Sequence, residues 1–267
     1  MSEPANQTGL EVSQDARVHD ASVSEQVDSV WCVLLAGGSG QRFGSLKQFD
    51  SLAGARVIDH AARTAAAACD GVVAVLPAAS LATADGTVAA ATAVVAGGDS
   101  RSESVRAGLA AIPAKATVIL VHDAARPLAS VELFERVIAA VRADAPAVVP
   151  AVRVVDTIRS VGPIAPSSAS ADSANADSAV LGVSAVVDRD QLRAVQTPQG
   201  FRADLLRRAY EGDGQATDDA GLVEALGQPI ILIEGERSNL KLTETADRII
   251  AEALLASLQS TTPTEQG

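Results

Sequence analysis

The chain offers little that would take it across a membrane or onto a polyanion. Its first residues are acidic, with no basic start followed by an apolar run, so no secretory leader is read there. Uncharged stretches such as Gly71 to Ala84 fall short of the about 18 apolar residues a membrane span needs, and Pro77 breaks this one. No membrane association is expected, and the predicted location is cytoplasmic. Cysteines number two, Cys32 and Cys69, both in apolar segments without metal-ligand spacing, which reads as reduced core thiols. The three histidines, His19, His60 and His122, are too scattered for a His-based metal site. Basic residues are outnumbered, 21 against 33 acidic ones, for a net charge of -12. Six of those carboxylates fall between Met1 and Asp28 against Arg17 alone, and this balance argues against electrostatic binding of nucleic acid.

What remains is a chain of 267 residues, 48% hydrophobic, enough for one sizeable core with attachments. Residues 1–28 are polar and without periodicity, so burial cannot offset the entropy of ordering them, and a disordered acidic tail is predicted. PIAPSSASADSANADSA, at 163–179, reads as a flexible loop between apolar runs, and 259–267 as a flexible end. A single domain is expected over 29–258.

Within it, short β-rich runs alternate with helical patterns. VWCVLLA (Val30 to Ala36) is continuously apolar and ends in glycines, as a strand covered on both faces does. Val57 to Ala68 then reads as a helix and GVVAVLP as the next strand. TVILVH (Thr117 to His122) is another buried strand, followed by a helix that Ser130 caps. That helix carries Leu133, Phe134, Val137, Ile138 and Val141 on one face. AVVPAV and PIILIE (Pro229 to Glu234) continue the strands. The last helix bears Ile249, Ile250, Ala253 and Leu254 on one stripe, with Thr243 as its expected cap. The alternation predicts βαβ crossovers and a mainly parallel sheet with helices on both sides. Ligands of such sheets sit at the carboxyl ends of strands near a topological switch point, here the loops after Ala36, His122 and Glu234.

LLAGGSGQRFGSLKQF leaves the first strand through Gly37, Gly38, Gly40 and Gly44, with Arg42 and Lys47 close behind. Glycines let backbone N–H groups approach phosphate oxygens, and the cations neutralise charge. A Walker A loop would need Gly-Lys-Ser/Thr together, and Lys47 is three positions past Gly44. A dinucleotide fingerprint would need an acidic residue ending the next strand, where Leu76 and Pro77 stand. HDAARP places Asp123 and Arg126 at a strand end. Asp123 is either a turn former or a ligand for Mg2+, which takes one or two carboxylates plus phosphate oxygens. GGDSRSESVRAGL (Gly97 to Leu109) is either a capped strand-to-helix loop or a wall of a nucleotide pocket. Lys241, before the last helix, is either a solvated lysine or a third cation at the same strand ends as Arg42 and Lys47.

Taken in order, AGGSGQRFG, LKQF, GGDSRSESV, VHDAARP, VVDTIRSV, VVDRDQL, TPQGF, TDDAGLVEALG and NLKLT resemble the 2-C-methyl-D-erythritol 4-phosphate cytidylyltransferase family, from about Val30 to Leu258. The resemblance implies a Rossmann-like domain with a protruding β-arm, about 152–190, that carries the 163–179 insert and pairs two chains as a homodimer. It implies transfer of CMP from CTP to methylerythritol phosphate with Mg2+. Arg42, Lys47 and Lys241 would hold the triphosphate and its transition state. Ala36, Gly37, Gly38, Gly40, Gly98, Asp99 and Ser104 would surround the nucleotide, and Asp123 the metal. Thr157, Arg189 and Thr217 would address the acceptor, the first two on the arm and reaching the partner's site. Two alternatives stay open on sequence: a ribitol 5-phosphate cytidylyltransferase and a nucleotide-binding module without catalysis.

Overall fold

Two cores on opposite faces of one sheet account for the uninterrupted apolar runs. The computed structural model describes residues 28–37, 47–163, 181–212 and 218–260. In β1 (Val30–Leu35), Cys32 and Leu34 enter one core while Val33 and Leu35 enter the other, so every position is apolar. A small hairpin of β2 (Ser51–Leu52) and β3 (Ala55–Arg56) leads into α1 (Val57–Ala68), whose Ile58, Ala61, Ala62 and Ala65 cover the first core. β4 (Gly71–Leu76) is buried throughout and β5 (Ala93–Ala96) lies beside it. Next, α2 (Arg101–Ala111) covers the second core with Val105 and Leu109. β6 (Val118–Asp123) returns to the other side of β1. α3 (Val131–Arg142) follows, started by the Ser130 hydroxyl accepting from Leu133 N–H, and buries the five residues expected of it.

β7 (Ala147–Arg153) leads to a separate antiparallel pair, β8 (Ile158–Pro163) and β9 (Leu181–Val187), which is the arm. The chain re-enters the main sheet as β10 (Arg193–Val195) and β11 (Gln199–Arg202), then runs through α4 (Ala203–Ala209) and α5 (Asp219–Glu224) to β12 (Ile230–Glu234) and α6 (Thr245–Ser260). The sheet order is β10-β7-β11-β6-β1-β4-β5, with β12 also on β7. β1, β4, β5 and β6 are parallel, as are β7 and β12, while β10 and β11 run against their neighbours. This is the expected Rossmann-like α/β fold, with a mainly parallel sheet and helices on both faces.

From β1 the chain steps out to β4 and β5, and α2 then brings it back past both to β6. The boundary between β1 and β6 is therefore the switch point, and Leu35 pairs there with Asp123. Among the described residues, no helix is long and apolar enough to cross a membrane.

Two expectations need correcting. Of the stripe expected on α6, Ile249, Ile250 and Ala253 face outward, the two isoleucines 68% and 52% exposed, while Leu254 packs inward with Ala251 and Leu255 against Leu52, Val57, Leu128 and Leu242. Periodicity reveals a stripe without revealing which side meets protein. Thr243 does not cap α6 forward; Asp247 reaches back to accept from Thr243 N–H, Thr243 hydroxyl and Glu244 N–H, because a carboxylate one turn in outcompetes a hydroxyl for those donors. The acidic tail, apart from Asp28, and the insert, apart from Pro163, lie outside the described residues.

Candidate active site

The carboxyl ends of β1 and β6 open into a cleft of about 250 Å³. Ala36 and Gly37 form one wall, Asp123 to Ala125 a second, and Lys47, Arg101 and Lys241 project into it. A second hollow continues from it past Gly37 and Arg101 to Gly97, Gly98, Asp99 and Ser104. Of the expected triphosphate ligands, Lys47 and Lys241 thus meet in one place from opposite ends of the chain. Arg42, Gly38, Gly40 and Thr217 lie outside the described residues.

Each wall has a local cause. The main chain of Ala36 is fixed at both ends, its N–H donating to Val75 O at 2.9 Å and its carbonyl accepting from Gln48 Nε2 at 2.7 Å. That second bond anchors the far end of the Gly-rich loop, one residue after Lys47. Gly97 has no room for a side chain: a Cβ there would stand 2.7 Å from Ser104 Oγ. Ser104 is 4% exposed beneath this loop, whereas Asp99 is exposed. Ser100 caps α2 in a reciprocal box with Glu103. The Gly97 to Leu109 segment is therefore both a capped helix start and a cleft wall.

Asp123 is the acidic centre. Its Oδ2 accepts from Lys241 Nζ at 2.7 Å, and Arg101 Nη2 stands 3.9 Å from its Oδ1. Burial alone would raise the Asp123 pKa, but Lys241 and then Arg101 outweigh it and hold the carboxyl below its ordinary range. Behind it, Asp123 N–H donates to Thr197 Oγ1 at 3.0 Å. The Thr197 hydroxyl in turn donates to Nδ1 of His122, whose Nε2–H donates to Arg126 O. Burial pushes His122 down to about 4, so the ring is neutral, and a neutral ring that donates from Nε2 accepts at Nδ1.

Arg126 turns away from the cleft. It donates to Asn239 O at 2.7 Å and Val195 O at 3.3 Å, pinning the segment that delivers Lys241, and Leu242 N–H donates to Ala125 O at 2.8 Å. Lys47 Nζ reaches across to Thr243 O. Arg101 grips Asp219 through two bonds, 2.9 and 2.6 Å. Thr157 and Arg189 are exposed on the arm, where Arg189 donates to Val155 O, and neither lines the two hollows.

Among the described residues, no group of three or more His, Cys, Asp and Glu side chains is placed to hold a metal. One carboxylate in a cationic cleft fits a metal that arrives on a triphosphate and takes most of its ligands from phosphate oxygens and water. Arg101, which the sequence places with Asp99 and Ser104 in the Gly97 to Leu109 segment, joins Lys47 and Lys241 as a cation of this cleft. Its place in the first turn of a helix behind Gly97 and Gly98 was the available signal. Asp219, 118 positions away, offered no spacing to read.

Comparison with known proteins agrees with this geometry. The family model for 2-C-methyl-D-erythritol 4-phosphate cytidylyltransferase matches residues 30–257. A relative of that name from Nocardia farcinica is 50% identical over 162 residues, covering 61% of this chain and 63% of its own length. Another of that name from Streptomyces avermitilis is 41% identical over 246 residues, covering 84% and 90%. The crystal structure of 2-C-methyl-D-erythritol 4-phosphate cytidylyltransferase from Thermus thermophilus superposes with a TM-score of 0.66 at 32% identity, covering 84% of this chain and 98% of that one. With the matched region spanning the sheet and both walls of the cleft, the chain belongs to the 2-C-methyl-D-erythritol 4-phosphate cytidylyltransferase family.

Proposed function

We propose that this chain transfers CMP from CTP to 2-C-methyl-D-erythritol 4-phosphate, releasing pyrophosphate, as a step in isoprenoid precursor synthesis. The observation that carries the reading is the meeting of Lys47, Arg101 and Lys241 around Asp123 at the β1/β6 switch point, in a chain of this family. The acceptor phosphate has a second pKa of about 6 and is largely dianionic at neutrality, so no general base is needed. One of its oxygens attacks the α-phosphorus of CTP, the bond from that phosphorus to the bridging oxygen breaks, and pyrophosphate leaves with the electron pair.

The obstacle is repulsion between two anions. Lys47 and Lys241 offset it with fixed charge, and the glycine backbone at Gly37, Gly97 and Gly98 lets the nucleotide come close. Arg42 in the Gly-rich loop would add a third cation to the triphosphate. Asp123 would hold Mg2+, which when bound neutralises phosphate charge and orients the leaving group. Thr157, Arg189 and Thr217 would bind the acceptor, with the arm reaching a second copy in a homodimer. Exposed Val155, Val161, Val183 and Val186 on that arm support such pairing. The cytoplasm is the compartment in which such an enzyme would meet both substrates.

The test is pyrophosphate release from CTP with methylerythritol phosphate and with ribitol 5-phosphate in parallel. Turnover with the first and little with the second is expected. Preference for ribitol 5-phosphate would replace the acceptor, and release with neither would leave a nucleotide-binding module. Solution mass near twice that of the chain tests the dimer.

A further inference from the structure

Arg101 meets both hollows of the cleft, yet its strongest partner is one no ligand can reach. Asp219 is fully buried and takes Nη1 and Nη2 of Arg101 on its two oxygens. The Tyr210 hydroxyl also donates to Asp219, and burial followed by the Asp219 charge raises the pKa of that phenol, keeping its proton in place. The start of α5 is itself anchored: Ala220 N–H donates to Gln199 Oε1 at 3.2 Å, and Gln199 Nε2 donates to Asp218 at 3.2 Å. Gln199 is 1% exposed, so this support is built into the core.

We infer that Asp219 is a positioning residue for nucleotide binding, acting through Arg101; the inference rests on the cytidylyltransferase reading. By occupying both terminal nitrogens, Asp219 halts the guanidinium 3.9 Å short of Asp123 and leaves its outer face toward the cleft. An arginine released from Asp219 has Asp123 as its nearest carboxylate, and the fork of a guanidinium favours closing on it through two bonds. That collapse removes a cation from the pocket and competes with Lys241 for the same acid. Tyr210 supplies the second constraint, since its donated bond leaves the Asp219 carboxylate one orientation.

The test is CTP binding by calorimetry on the full chain, with steady-state turnover alongside. Asp219→Asn is expected to weaken CTP about tenfold and Tyr210→Phe about threefold, equivalent to about 1.4 and 0.6 kcal/mol. Asp219→Asn should raise KM for CTP while leaving KM for the acceptor within about twofold, a split that general loosening of the fold would not produce. Arg101→Gln should weaken CTP at least as much, and adding Asp219→Asn to it should cost nothing further. The double variant leaves no arginine facing a lost partner, so its comparison with Arg101→Gln decides the matter even if Asp219→Asn alone does not fold. Wild-type CTP affinity in Asp219→Asn or Arg101→Gln, or a further loss in the double variant, overturns the inference. If the parent chain binds CTP but releases no pyrophosphate with the acceptor, the acceptor assignment fails while the binding series still decides the role of Asp219. No CTP binding by the parent chain overturns both.

Discussion

Lys241 and Asp123 stand 118 positions apart in the chain and 2.7 Å apart in space. Hydrogen bonds to main-chain carbonyls hold them so, with Leu242 N–H on Ala125 O and the Arg126 guanidinium on Asn239 O at either side of the lysine. The ammonium is therefore in position before any substrate arrives, and charge fixed in advance needs no reorganisation during reaction. Lys241→Ala and Lys47→Ala are each expected to lower kcat about a hundredfold, near 3 kcal/mol in the barrier, with unchanged far-ultraviolet circular dichroism. Near-wild-type turnover in either variant removes that lysine from the chemistry.

Asp123→Asn keeps the shape of the side chain but removes the charge that Lys241 and Arg101 face. Activity should then need a higher Mg2+ concentration, read as a right-shifted metal titration at saturating CTP. An unshifted titration would show that the carboxylate serves Lys241 alone.

Most of the sheet was legible because its strands are covered on both sides. Runs such as Val30–Leu35 and Gly71–Leu76 are apolar without alternation, and α3 exposes its buried face through a 3.6-residue period and a serine cap. β12 was legible as a strand, although Ile231 and Leu232 remain 41% and 52% exposed. The cleft was legible in part. Lys47, Lys241, Asp123 and the glycines at 97 and 98 carry recognisable motifs, and strand ends locate them. The shell behind them was not: Thr197, Asn239, Tyr210 and Asp219 make hydrogen bonds whose partners follow no period.

His122 makes the fold sensitive to acid. Its ring is fully buried beside Phe134, with centroids 5.0 Å apart, and burial brings its pKa from 6.5 to about 4. Because the unfolded chain binds the proton more tightly, the contribution of this residue is complete above pH 6.5 and is lost as pH falls toward 4. Between pH 7 and pH 5 the loss is about 2 kcal/mol from this group. Urea unfolding at the two values should show that difference in the wild type and a smaller one in His122→Asn, which keeps polar partners for Thr197 without titrating. Equal slopes in both proteins would place the acid sensitivity elsewhere.

Gly108 sets how closely α2 approaches the sheet, and through α2 where Arg101 stands. A Cβ at this position would lie 2.5 Å from Val33 Cγ1 and 3.1 Å from Val75 Cγ2. Alanine in a helix interior is favoured over glycine by about 1 kcal/mol, but overpacking a tight core costs about 1–3 kcal/mol, and both neighbours are β-branched and stiff. The clash should win, so Gly108→Ala is expected to destabilise by about 1–2 kcal/mol. It should also weaken CTP binding, because the helix moves off β1 with Arg101 at its first turn. Val33→Ala clears the contact, so the double variant should lose less than the sum of the single losses, in both the unfolding midpoint and the CTP titration. Additive losses would mean that α2 does not press on β1 at this point, and that the placement of Arg101 owes nothing to the glycine.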